Sequence, residues 1–150
     1  MPRHDEQKGA DRASRERLIK LGSRLDGDIL RRPLGEHWTV AMGLLHLAFW
    51  DRFVVERWRH AAVNGLTIPP PIEDYAEDRV NDTLTQLFKR VPVAEALPEA
   101  LEAAQAVEDV IAQLSSEVIE AVQRVGGARL LDRSIHRAEH LDEIEAAVGW

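Results

Sequence analysis

Two histidines stand four residues apart in SIHRAEHLDEIE, residues 134–145. On a helix His136 and His140 are one turn apart and share a face. Imidazoles so placed can grip one ion, at about 2.0–2.1 Å if it is zinc. The same spacing suits two solvent-facing residues on a charged helix. A third ligand has to come from another helix, and His46 is placed inside one, in the run VAMGLLHLAFW. A histidine on an apolar face is as readily a hydrogen-bonded core residue, so spacing alone leaves the metal site open. At 1.5 Å per residue, His37 and His60 lie about 13 Å and 21 Å along the helix from His46, too far to share its ion.

Other chemistries are easier to exclude. HRAEH has the outer histidines of a zincin, but Arg137 stands where the glutamate base belongs. No histidine has a glutamate three positions before it, as a ferritin-like di-iron bundle requires. There is no Gly-rich phosphate loop and no serine in a G-x-S-x-G turn. The chain has no cysteine, so thiol chemistry needs a thiol from outside.

A composition of 45% hydrophobic and 30% charged residues is that of a soluble globular chain. A net charge of -7 argues against a nucleic-acid partner, since phosphate binding needs a basic footprint. The arginines Arg12, Arg15, Arg17 and Arg24 alternate with Asp11, Glu16, Asp26 and Asp28 and read as a solvated face. The polar start of the chain is no secretory signal, and no run approaches the roughly 18 apolar residues of a membrane span. A cytoplasmic protein without a membrane partner is expected.

The elements that must position the histidines follow from apolar periodicity. Residues 1–10, which include His4, read as a flexible tail, and 11–150 as one domain. A first helix is expected over residues 12–31 and a second from the Thr39 N-cap to about 62. The second is apolar on most sides and therefore central. NGLTIPPPIEDY then breaks the helical pattern. A short helix over residues 77–90 follows, and a third long helix from Pro98 to residue 125. Gly126 and Gly127 close it, and a fourth covers residues 128–148. No strand-like alternation is visible. The fold class is all-α: a four-helix bundle with a long crossover between helices 2 and 3 that holds the short extra helix. The two-glycine turn should make helices three and four antiparallel neighbours. His136 and His140 sit to one side of the stripe Leu131, Ile135, Ala138 and Leu141, which fits either a site at the bundle edge or plain exposure.

EHWTVAMGLLHLAFWDRF, followed by HRAEHLDEIE on the last helix, resembles the DinB-like superfamily, which includes YfiT-like proteins. It is similar also to the N-terminal domain of the mycothiol-dependent maleylpyruvate isomerases, whose additional C-terminal domain has no counterpart in these residues. The resemblance implies a DinB-like bundle with a divalent metal, nickel, zinc or iron, on His46, His136 and His140, and a homodimer. It implies a metal-dependent activity: a transferase or isomerase using a low-molecular-weight thiol such as mycothiol, bacillithiol or glutathione, or a related hydrolytic or detoxifying role.

Such an ion lowers the pKa of a bound water or thiol towards neutrality. Met42, Trp50 and Phe53 are candidates for an apolar cleft beside it, Arg57 for an anionic group and Asn81 for the rim. Asp132 and Glu143 are within helical reach of the histidine nitrogens that face away from the ion. The expected partners are thus a small-molecule electrophile and a thiol. The competing expectation is a non-catalytic helical binding or stress-response protein with a structural metal or none.

Overall fold

The computed structural model describes residues 4–150. Its helices are α1 His4–Gly22, α2 Gly27–Leu30, α3 Val40–Val63, α4 Asp74–Phe88, α5 Val93–Ala112, α6 Ser116–Arg124 and α7 Ser134–Val148, with a 3₁₀ turn at Ala128–Leu130. Residues 4–10, expected in the tail, form the first turns of α1, where Asp5 and Glu6 suit the positive end of the helix dipole. Residues 1–3 lie outside the described residues.

Local chemistry sets the breaks that periodicity alone does not show. The first helix divides because the Asp26 carboxylate accepts the Ile29 N–H and starts α2 afresh. The third divides because Ser115 Oγ accepts the Val118 N–H and opens α6. It also begins earlier than Pro98, at Val93, and keeps Pro98 inside at the cost of the N–H that would reach the Ala94 carbonyl. The fourth begins at Ser134, after the 3₁₀ turn. Thr39 caps α3 as its sequence suggests, its hydroxyl accepting the Met42 N–H at 3.2 Å. Contrary to the purely helical expectation, Pro33–Leu34 and Trp38–Thr39 pair as a minimal antiparallel ladder. Gly35, at φ 68°, turns the chain between them.

Helices α1, α3, α5 and α7 form the bundle. Val40 and Leu44 share a core with Ala96 and Ala100, while Val54 and Trp58 share another with Val107 and Ile111, so α3 and α5 run in the same direction. The chain that joins them, residues 64–92, carries α4. Helix α7 runs antiparallel to α3 and packs against α3 and α1. It lies diagonally across from α5, not beside it as the expected two-glycine turn would require, because residues 113–133 intervene with α6 and the 3₁₀ turn.

The two apolar clusters occupy opposite ends of the α3–α7 contact. At one end Leu44, Leu141 and Ile144 are fully buried, each leucine contributing roughly 1.5–3 kcal/mol through the water it sheds. Here a Cβ on Gly43 would come within 2.6 Å of Leu34, so the missing side chain lets the hairpin lie directly on α3. At the other end Trp58 donates its indole N–H to the Leu130 carbonyl at 3.0 Å. Between the two ends lies a layer of buried polar side chains: His46, Asp51, Arg133, His136 and Arg137.

Candidate metal centre

The antiparallel pairing of α3 and α7 brings His46 opposite the His136–His140 turn. One ligating atom from each of the three rings lies within 4.8 Å of the other two. The His46 ring centroid is 5.2 Å from that of His136 and 4.6 Å from that of His140, and the latter two are 4.7 Å apart. His46 and His136 are buried, and His140 keeps 13% of its side chain exposed. The buried face of α7 carries His136, Arg137, Leu141, Ile144 and Val148, while Ile135 is 47% exposed. The apolar stripe expected through Ile135 is therefore displaced, because the helix turns a polar layer inward at its first two turns.

Proton positions follow from the partners. The Arg133 guanidinium can only donate, so its Nη2, 3.3 Å from His136 Nδ1, makes that nitrogen an acceptor. A neutral His136 then carries its proton on Nε2 and donates to His46 Nε2 at 3.3 Å. The His46 proton falls on Nδ1, a buried nitrogen with no partner, and His140 Nδ1 is likewise without a hydrogen bond. Glu143 Oε2 approaches His140 Nδ1 to 3.4 Å without hydrogen-bond alignment. Burial is the main cause that pushes His46 down to about 3 and His136 to about 2. The positive charge of Arg133 adds to the effect at both rings. Rings held neutral at pH 7 are the form that binds metal. The donor set fits a divalent transition ion: three imidazoles, each able to present one ring nitrogen, and no competing carboxylate among them.

Two tryptophans wall the site. Trp38, delivered by the hairpin, stacks obliquely on His46 with ring centroids 4.7 Å apart, and Trp50 stands 6.5 Å away at a steep angle. Their indole N–H groups reach α4: Trp38 donates to Thr85 Oγ1 at 3.0 Å and Trp50 to Asn81 Oδ1 at 2.8 Å. Asn81 thus holds a wall in place instead of lining the cleft. Met42 is buried on α3 and does not line it either, whereas Trp50, Phe53 and Arg57 do, beside His136. Arg57 also donates to the Pro70 carbonyl at 2.7 Å.

Behind the histidines is an ion network that spacing does not reveal. Asp51 accepts from Arg133 Nε at 2.9 Å and from Arg137 Nη2 at 3.0 Å. Arg137, the residue that departs from the zincin pattern, is buried structure. Asp11, expected on a solvated face, is 3% exposed. Its carboxyl accepts the Arg133 and Ser134 N–H groups at 2.9 Å and 3.2 Å and so caps α7 from α1. Burial pushes its pKa up to about 7, against the lowering effect of those bonds. Asp132 accepts from the Ser134 backbone and hydroxyl, and so shapes the start of α7. The i, i+4 spacing of Arg133 and Arg137 was the only available signal for this network; their shared partner lies on another helix.

Residues 10–147 match the family model of the DinB superfamily, and the chain belongs to that superfamily. No curated protein and no solved structure gives a significant match.

Proposed function

We propose that this member of the DinB superfamily holds one divalent ion, nickel, zinc or iron, on His46, His136 and His140 and acts as a metal-dependent enzyme. The proposed activity is that of a thiol transferase or isomerase, or a related detoxifying reaction, with a low-molecular-weight thiol as co-substrate. The observation that carries the reading is the convergence of three imidazoles, each with a ligating atom within 4.8 Å of the other two, beside a cleft. A bound ion supplies Lewis acidity towards a thiol or a carbonyl group. The chain's own residues do the rest. His46 and His136 stay unprotonated through burial, Trp38 and Trp50 keep water from one side of the rings, and Trp50 and Phe53 offer an apolar surface to an electrophile. Since the chain has no cysteine, the thiol comes from solution. The homodimer implied by the family resemblance belongs to the same proposal.

A second reading, a non-catalytic binding or stress-response protein, is favoured by one contact. The 3.3 Å approach of His46 Nε2 to His136 Nε2 lets one neutral ring donate to the other without an ion. Elemental analysis of untagged protein separates the readings, with about one metal per chain expected and almost none in His46→Ala or His136→Ala. Failure to retain nickel, zinc or iron after incubation with each would refute the metal-dependent reading. Retained metal without thiol-dependent consumption of an electrophile such as a chloronitrobenzene leaves only a structural ion.

A further inference from the structure

The cleft beside His136 has a charge pattern that the histidines do not explain. It is a partly open space of about 80 Å³. Three guanidinium groups, Arg57, Arg129 and Arg133, line it, with Glu77 as its carboxylate. Among the described residues Glu77 forms no ion pair with these arginines. Asp51 serves both Arg133 and Arg137, so the wall behind His136 keeps an excess of positive charge. Among the described residues Arg129 has one distant ion partner, Glu139 at 3.7 Å, and it is largely exposed. Arg57 is held towards the cleft by its bond to the Pro70 carbonyl and lies 5.8 Å over the face of Phe53. Its pKa is lowered, first by burial and then by the charge of Arg133, against the raising effect of Glu77. This concentration of cations occurs in a chain whose net charge is -7.

We infer that the cleft binds a small organic carboxylate, its charged head on Arg57 and Arg129 and its apolar body against Trp50 and Phe53. An arginine fork matches a carboxylate's two oxygens, and most donors of the Arg57 guanidinium are uncommitted. The aromatic walls would turn the rest of the molecule towards His136. That this carboxylate is the substrate rests on the metal-dependent reading above; its binding to the arginines does not.

The test compares 4-fluorobenzoate with 4-fluorobenzamide, which has the same shape without the charge, by fluorine NMR titration. Protein as purified and protein dialysed against chelator are both used. The acid is expected to bind at least about tenfold more tightly than the amide in both samples, as a charge-assisted pair provides. Arg57→Gln should remove about tenfold of that affinity, and Arg57→Lys should restore part of it. Arg129→Gln, at an exposed site that does not threaten folding, should weaken the acid about threefold. Metal content should stay unchanged in all three variants. Acid and amide binding within about twofold of each other would overturn the inference, as would an acid affinity untouched by both glutamine variants. Metal-free protein that still selects the acid supports the carboxylate site whatever becomes of the metal. Fully metallated protein that ignores it removes the carboxylate site alone.

Discussion

Two polar groups lie side by side between α3 and α7, both largely removed from water and different in how their atoms are used. In the Asp51–Arg133–Arg137 group the carboxylate accepts from both guanidiniums, and Arg133 spends donors on the Arg129 carbonyl and on His136 as well. In the His46–His136–His140 group two ring nitrogens have no hydrogen-bond partner at all. Arg137 Nε in the first group also lacks a partner, but both guanidiniums there are paired with the carboxylate, and these contacts hold the helices together. The histidine group leaves its two ring nitrogens to a partner outside the chain, as donor or acceptor according to the tautomer. Burial does not tell the two apart; the pairing of charge in one and the unpaired ring nitrogens of the other do. The groups also meet, because Arg133 donates to His136 and so orients the ring that an ion would use. Arg133 would thus take part in setting how His136 presents itself to an ion.

The comparison can be broken most forcefully at its ion-paired side. Asp51→Ala strands two guanidiniums in the interior and should destabilise the protein by about 3–5 kcal/mol, read from the midpoint of urea unfolding. A loss below about 1 kcal/mol would show that the network is not the anchor described here.

The histidine side is tested by pH on metal-free protein. Unfolded histidine takes up a proton near pH 6.5, whereas folded His46 and His136 remain neutral down to about 3 and about 2. Stability is therefore lost as the pH falls from 6.5 towards 3. Asp11 opposes this, since its folded carboxyl, at about 7, takes up a proton before the unfolded one at 3.8. With two histidines against one aspartate the net loss should be roughly 1 kcal/mol per pH unit between pH 6 and 4. His46→Gln should flatten the slope. An unchanged slope would mean that the folded ring already carries a proton.

The smallest effect is expected where α4 meets the site. No residue of α4 is fully buried, so the indole bonds to Asn81 and Thr85 are prominent among its ties to the bundle. Thr85→Val leaves the Trp38 N–H unpaired and should cost about 1 kcal/mol. Amide exchange should quicken over residues 74–88 before it quickens in α3. Uniform acceleration across the bundle would assign Thr85 to the global core instead.

Much of this was legible in the residues themselves. The Thr39 cap, the apolar breadth of α3, the shared face of His136 and His140 and the absence of any thiol are local properties, set by side-chain chemistry and the 3.6-residue period of a helix. They sufficed for an all-α fold and for a histidine triplet as candidate ligands. Periodicity failed where a polar layer is buried: it placed Ile135 inside and Asp11 outside, although the reverse holds. It also ran helices through Asp26 and Ser115, where a side chain competes for a backbone N–H. What only the tertiary structure decided is rotation and partnership: that α7 faces α3 rather than α5, that Asp51 meets two arginines 82 and 86 residues away, and that Trp38 covers His46. Those contacts depend on how two helices turn about their own axes when their side chains interlock. No spacing within one helix encodes that angle.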